Sequence, residues 1–225
     1  LTIDPRRSGV GRLSRRTDIS VLVMLFVFGA LMNAFGMVSP VYGFERWLSN
    51  LLHIHNQTAI LGIVFTLVVV LEPILLLGAA TAVTKMWAGV RRDWLPLLTR
   101  YSYSLAPLGF GMWLAHYGFH LFTGLYTLVP VTQNAVLSIT GKALLGTPQW
   151  TLVGLPARIV QPIEYGFLLL GLLGSLTIAH ELAEQDCSSR WVKAFVPWAV
   201  VCVILFGAAA WLIAQPMDMR ATFLE

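Results

Sequence analysis

The sequence predicts an all-α integral membrane protein with about five transmembrane helices and short interfacial helices in its outer loops. Of the 225 residues, 57% are hydrophobic and 12% are charged, whereas soluble domains carry about 25% charged residues. Long apolar windows recur along the chain without the two-residue alternation of an outer-membrane barrel. The net charge of +4 reflects few acids rather than a basic stripe, so we expect no nucleic-acid partner. A cytosolic enzyme, a disordered chain and a disulfide scaffold are excluded.

The apolar windows divide into five predicted spans, each long enough for the roughly 20 residues that cross a hydrocarbon core. The predicted spans are residues 19–38, 58–82, 103–129, 157–179 and 194–214. They form one transmembrane domain, residues 19–225, after a basic tail over residues 1–18. That tail lacks the apolar segment of a signal peptide. We therefore expect Leu1 to begin either a processed product or a fragment whose preceding part is missing.

Orientation is predicted from lysine and arginine, because basic flanks resist translocation. Eleven of the 15 basic residues lie in the tail or in the loops after the second and fourth spans. The other four are Arg46, Lys142, Arg158 and Arg220. The N-terminus is therefore predicted to be cytoplasmic and the C-terminus outside. Seven tryptophans lie near predicted span ends, as interfacial indoles do: Trp47, Trp87, Trp94, Trp150, Trp191, Trp198 and Trp211.

Two outer loops are predicted to carry short helices that lie on the membrane surface. Residues 44–55 place five apolar side chains on one helical stripe: Phe44, Trp47, Leu48, Leu51 and Leu52. Residues 132–145 are predicted to form the second helix, with Gly141, Gly146 and Pro148 as helix breakers.

An ionisable side chain inside a bilayer raises the free energy of insertion by at least about 2.5 kcal/mol, so each one needs an explanation. His116 and His120 are four residues apart and therefore share one face of the third span. The opposite face carries Gly111, Ala115 and Gly118, which mark a close helix contact. With small or polar residues on two faces, this span is predicted to lie at the centre of the bundle.

A carboxyl group is predicted to join these histidines. Glu164 shares a stripe with Gly171 and Ser175, so it should face a neighbouring helix. At about 1.5 Å per residue, Glu164 and both histidines fall in the outer half of the membrane. Glu72, which precedes Pro73, falls in the inner half and is not expected to join them.

Each of these groups also has a purely structural interpretation. The histidine pair serves equally well as a hydrogen-bonded bridge within the bundle, and Glu72 as part of the repair of a helix kink at Pro73. His180 is interpreted as an interfacial residue near the cytoplasmic edge. His53 and His55 form only a weak metal-binding pattern, in a loop.

The sequence argues against several cofactors. Cys187 and Cys202 form no motif for an iron–sulfur cluster, haem c or zinc, so we expect this chain to bind no cluster and no metal. A membrane haem with two histidine ligands needs them on different helices. Spans one, two and five contain no histidine, which argues against such a haem.

A quinone site has fewer requirements than a haem site: a proton-exchanging group, aromatic side chains around the ring and access from the lipid. Histidine and carboxyl groups are suited to the proton exchange that accompanies quinone chemistry. We expect a quinone to be the cofactor, with Glu72 and Glu164 as proton relays. The predicted quinone-site residues are His116, Tyr117, His120, Glu164 and Tyr165.

The run RYSYSLAPLGFGMWLAHYGFHLFTG over residues 100–124 resembles the C-terminal membrane region of multi-pass, polyferredoxin-type 4Fe-4S proteins of bacterial membranes. Residues 4–18, residues 24–41, the VPVTQ that begins at residue 129 and the GLLGSL over residues 171–176 also look similar. The resemblance implies a bacterial inner membrane and a cytoplasmic ferredoxin module before Leu1. Such a module would pass electrons to a quinone or to a partner redox subunit.

Three functions follow from these observations. The first is a membrane-anchoring subunit or domain of a quinone-linked electron-transfer complex, with other membrane or redox subunits as partners. It is not itself expected to be catalytic. The second is a structural accessory subunit without chemistry. The third, a transporter using Glu72 and Glu164, ranks last because the five spans show no clear internal repeat.

Overall fold

The computed structural model describes residues 16–150 and 154–215, and every regular element within these ranges is helical. The helices are α1 (Thr17–Phe35), α2 (Ser39–Leu52), α3 (Gln57–Thr66), α4 (Glu72–Ala88), α5 (Trp94–Ser102), α6 (Ala106–Thr123), α7 (Leu128–Thr140), α8 (Ala157–Asp186) and α9 (Trp191–Ala214). The all-α class is confirmed. Most of the predicted basic tail, up to residue 15, and Arg220 lie outside the described residues.

Four segments of the described chain are long and apolar enough to cross a membrane: Thr17–Phe35, Gln57–Ala88, Arg158–Asp186 and Ser188–Ala214. They correspond to the first, second, fourth and fifth predicted spans. The third predicted span is helical, but α6 ends at Thr123 rather than at residue 129. Because α6 carries two histidines and several glycines, it is less apolar than the other four.

The segment Gln57–Ala88 is continuous and contains an irregularity at its centre. The Asn56 side chain accepts a hydrogen bond from the Ala59 amide and caps its start. A π-helical turn, Leu67–Leu71, joins α3 to α4, directly before Glu72 and Pro73. The helix runs past the predicted end at residue 82, so Glu72 lies near its midpoint. The prediction that Glu72 lies in the inner half of the membrane stays a prediction, since the helix bounds alone do not fix its depth.

The two loop helices are present with shifted bounds. Helix α2 begins at Ser39, and α7 runs from Leu128 to Thr140, earlier than residues 132–145. In α2, Leu48 packs into the bundle against Met32 and Ile60, whereas Trp47 remains exposed. The apolar stripe is therefore shared between the bundle and the outer surface of the helix. Its placement on a membrane surface stays a prediction.

Helices α6 and α8 form the closest contact, and glycines allow it. A Cβ atom on Gly111 would lie 2.6 Å from the Phe167 carbonyl oxygen. One on Gly171 would lie 2.8 Å from the Pro107 carbonyl oxygen. The small-residue face predicted on this span is thus the face that packs on α8, as is typical of helix contacts in lipid.

The main core joins side chains from α1, α4, α5, α6, α8 and α9. Near one end of the bundle, the Tyr101 and Trp198 rings stack with centroids 5.1 Å apart. Trp198 is fully buried, so the prediction of an interfacial indole is wrong at this position. Pro197 precedes it on the same buried turn of α9, and the ring turns inward to Tyr101.

A charge cluster lies at the same end of the bundle as this stack. Arg92 Nη2 lies 2.9 Å from Asp186 Oδ1, and Arg100 Nε lies 3.2 Å from Asp186 Oδ2. The Asp186 side chain is only 3% exposed. We name Arg92, Arg100 and Asp186 the charged end; it ties the end of α8 to the loop before α5 and to α5 itself.

We expect Gly171→Ala to lower the free energy of unfolding by about 1–3 kcal/mol, because the new Cβ would overlap the Pro107 carbonyl. Gly166→Ala is the matched control on the same helix, where a Cβ would meet nothing within 4 Å. The control should be neutral or slightly stabilising, since alanine favours helix. Thermal unfolding of the purified variants in detergent measures both. Equal midpoints for the two variants would contradict a close α6–α8 contact.

We expect Asp186→Ala to destabilise the protein by about 2 kcal/mol, because two arginines would face each other without their shared, buried anion. Glu184→Ala removes a more exposed carboxylate from the same turn and is the control. The control should cost less than about 0.5 kcal/mol. Denaturant unfolding followed by tryptophan fluorescence compares the two. A larger loss in the control would argue against the charged end as a clamp.

Candidate functional site

The histidine-bearing helix is fixed at both of its ends by neighbouring segments. At its start, the Leu108 amide donates to Ser175 Oγ of α8 at 3.0 Å, which supplies a partner that the first turn of a helix otherwise lacks. At its end, the Leu155 amide donates to the Phe122 carbonyl at 2.8 Å. The side chains of α6 are therefore held at a defined depth and rotation.

His116 is buried, with 2% of its surface exposed, and neither Nδ1 nor Nε2 has a hydrogen-bond partner. A buried polar atom without a partner costs about 1–3 kcal/mol, so such atoms are rare in folded proteins. His116 lies two turns after Gly109, where an added Cβ atom would lie 2.6 Å from Val27 Cγ2 of α1. The imidazole is therefore on the α1 side of α6.

His120 continues from His116 toward the exposed surface. The two rings meet edge to face, with centroids 5.0 Å apart, and His120 itself is exposed. Tyr117 lies beside His116 at 5.3 Å and is also exposed. The ring centroids of Trp113 and Tyr117 lie 4.9 Å apart, so Trp113 continues the row of aromatic side chains along α6. The pair thus links a buried imidazole to one that is open to the surroundings.

Glu164 is buried on α8, with 3% of its surface exposed, and its Oε1 has no hydrogen-bond partner. It shares the stripe of Gly171 and Ser175, which contacts α6. Counting back from Gly171, which meets Gly111, the antiparallel register places Glu164 level with Gly118.

The carboxyl group and the histidine pair are therefore at one depth but on different sides of α6. Glu164 faces the side of Gly111 and Gly118, whereas His116 faces α1. No hydrogen bond joins Glu164 Oε1 to either histidine. A water molecule or a hydroxyl-bearing ligand is the kind of group that satisfies such buried atoms.

Tyr165 does not join the group predicted for it. Its hydroxyl donates to the Ala210 carbonyl of α9 at 3.3 Å, so the ring turns toward α9. Of the five residues predicted at a quinone site, His116, His120 and Tyr117 are neighbours. Glu164 lies at the same depth but on the glycine side of α6. Tyr165 is part of the contact between α8 and α9.

Glu72 is separate from all of these and lies at an open groove. The groove has a volume of about 560 Å³, and Glu72 is the one polar side chain in its lining. The Glu72 amide donates to the Leu67 carbonyl, one residue further back than in a regular α-helix, and Pro73 has no amide hydrogen. Such π-turns often mark functional positions in helices.

Two of the remaining histidines, His53 and His180, have local structural roles. His180 lies 3.6 Å from Glu184 and packs edge to face on Trp191 at 4.6 Å. His53 has a left-handed backbone, with φ of 54°, and ends α2. Within the described ranges, no group of three or more histidine, cysteine or acidic side chains is arranged to hold a metal ion.

Two features of the site were not predicted from the sequence. The Ser175–Leu108 hydrogen bond sets the register of α6 against α8, and a serine on a small-residue stripe gives only a weak signal for it. The groove at Glu72 depends on Ile204 of α9, whose position beside α4 only tertiary packing determines. Searches against protein-family models, curated proteins and solved structures found no match to the chain.

Proposed function

We propose that the chain is a five-span subunit of a quinone-linked electron-transfer complex in the bacterial inner membrane, with its N-terminus cytoplasmic and its C-terminus outside. Five spans require α6 to cross the membrane. Arg92 and Asp186 are in contact, so the chain leaves this end of the bundle after residue 92 and has returned to it by residue 186. With α8 as one crossing, this return supports a second crossing before it.

Helix α6 is suited to be that second crossing. Its 18 residues extend about 27 Å, close to the thickness of a hydrocarbon core, whereas the 13 residues of α7 extend only about 20 Å. With α6 as a span, 11 of the 15 basic residues fall on one side, which is the side of the charged end. Basic loops favour the cytoplasm, and this supports the proposed orientation.

The functional part of the proposal rests on His116. A buried imidazole with two unpartnered nitrogens, in edge contact with an exposed imidazole, has the chemistry of a proton-exchange path toward the outer side. Reduction or oxidation of a quinone takes up or releases protons, so a quinone-linked subunit has a use for such a path. Glu164 at the same depth adds a second proton-exchanging group.

The electron donor is proposed to be a separate redox module. The chain contains two cysteines and no cluster motif, so the electrons must come from elsewhere. The resemblance of residues 100–124 to polyferredoxin-type membrane proteins favours a cytoplasmic ferredoxin-like module. On the proposed orientation, that module would meet the cytoplasmic side, where the charged end and the most basic loops lie.

Five crossings with the N-terminus inside predict opposite labelling of the two loops that flank α6. In a variant without Cys187 and Cys202, Asp93→Cys should react with a membrane-impermeant maleimide only after spheroplasts are opened. Lys142→Cys should react in intact spheroplasts. The cysteines introduced at positions 93 and 142 test directly whether α6 crosses the membrane. Labelling of both from the same side would exclude five spans.

We expect His116→Ala or His120→Ala to lower quinone-dependent electron flow about tenfold or more, because general acid–base groups contribute at least this much. Assembly, followed by native gel electrophoresis, should be unchanged. His180→Ala is the control, since that histidine contacts Glu184 and Trp191 away from the pair. The rate of quinone reduction in membrane vesicles is the measurement.

His116→Asn separates a proton role from a structural one, because asparagine keeps polarity and bulk but does not titrate. A proton role predicts that the Asn variant is as slow as the Ala variant. Full activity of His116→Asn, or of both alanine variants, would overturn the proton-exchange proposal. A structural accessory role would then account better for this subunit.

A further inference from the structure

We infer that the groove beside Glu72 binds the head group of a lipid-soluble quinone, through a hydrogen bond with the Glu72 carboxyl group. The inference rests on the proposed function for the ligand class only. The groove, the carboxyl group and the irregular helix turn are properties of the structure itself. The site is distinct from the histidine pair of α6, because it is formed by the segment Gln57–Ala88 and α9.

The depth of the groove restricts what it accepts. Glu72 lies near the midpoint of a helix of 32 residues, so with this helix as a membrane span the groove would open close to the centre of the bilayer. Charged lipid head groups stay at the interface, and a charged carboxylate is costly at this depth. The occupant is therefore uncharged, and Glu72 in its neutral form is both a donor and an acceptor of hydrogen bonds.

The size and lining of the groove fit a ring with an apolar tail. Its volume of about 560 Å³ is within the range of small-molecule sites. Besides Glu72, the walls are formed by seven apolar side chains: Leu67, Val68 and Leu71 of the π-helical turn, Leu75, Leu76 and Ala79 of α4, and Ile204 of α9. One polar group in an otherwise apolar groove orients a ligand that carries carbonyl or hydroxyl groups on a hydrophobic body.

The backbone adds a second hydrogen-bonding group. In a regular helix the Val68 carbonyl would accept from the Glu72 amide, but this amide bonds to Leu67 instead. The next residue, Pro73, offers no amide hydrogen. The Val68 carbonyl thus loses its regular donor, and Val68 lines the groove. We therefore expect this carbonyl to accept a hydrogen bond from the hydroxyl of a reduced quinone.

The helix that carries Glu72 is also the one most open to the membrane. Of the four span-length segments, Gln57–Ala88 has 22% of its most apolar window buried, against 33%, 33% and 44% for the others. A ligand dissolved in the bilayer therefore reaches the groove without passing through the protein. Entry from the lipid phase is what a long-tailed quinone requires.

Photolabelling in native membranes tests the inference, with a short-tailed azidoquinone as the probe. We expect the label on peptides that contain residues 67–79 or Ile204, and we expect excess unlabelled quinone to prevent it. In Glu72→Leu, the concentration of unlabelled quinone needed to prevent labelling should rise five- to tenfold. In Glu72→Gln, which keeps a hydrogen-bonding group, this concentration should stay within about threefold of that for the unchanged protein. Ile74→Leu lies at the same depth outside the lining and should change nothing.

Ile204→Trp provides a second variant that does not alter the carboxyl group. The larger ring should fill the groove and abolish the protected label, whereas Val203→Trp, on the adjacent exposed position, should not. Label that persists in both Glu72→Leu and Ile204→Trp would show nonspecific partition and overturn the inference. The inference would also be overturned if a partner subunit, and not excess quinone, prevented photolabelling of the groove.

The outcomes separate this inference from the proposed function. Quinone-protected label on Trp113, Tyr117 or His120, with none in the groove, would overturn the groove site and leave a quinone-linked function standing. No quinone-protected label anywhere on the chain would count against both. Label in the groove together with full activity of the His116 and His120 variants would keep the groove site and remove the proton-exchange role.

Discussion

The close contact between α6 and α8 determines where the polar groups of this bundle lie. Lipid tails are as apolar as leucine, so helices in a membrane associate through van der Waals packing and hydrogen bonds rather than through hydrophobic burial. Gly111 and Gly171 allow the two backbones to meet, and Ser175 fixes their register through the Leu108 amide. This register brings Glu164 and the histidine pair to one depth.

The bundle carries an energetic cost at that depth. His116 and Glu164 Oε1 are buried without partners, at about 1–3 kcal/mol for each unsatisfied group. An apolar residue at either position would remove the cost. The tight glycine contact and the charged end, which joins α8 to α5, stabilise the helices that hold these groups. Polar groups that lower stability within a well-packed frame are typical of functional sites.

The all-α class and four span-length helices were predictable because long apolar windows are visible in the sequence, and the glycine face of α6 was recognised from its spacing. The site was less predictable, since helical periodicity fixes angles within one helix but not which neighbour each face meets. Glu164 and His116 were expected together, yet α8 packs on the glycine side of α6 and α1 on the histidine side. Likewise, Trp198 turned inward because Tyr101 offers a stacking partner, which no local pattern reveals.

The polar features are distributed through the thickness of the bundle, and this order has consequences for the proposed function. The charged end lies at one face, Glu72 near the middle, and the histidine pair with Glu164 toward the other face. A quinone that bound at Glu72 would stand between the side where the proposed redox module would supply electrons and the side where His120 is exposed. Because Glu72 and His116 are on different helices, with no contact between them among the described residues, proton transfer from one to the other would need intervening water or motion of the ligand. On the proposed function, electron delivery and proton exchange would therefore use different helices of this bundle, with the quinone on α4 and the proton path on α6.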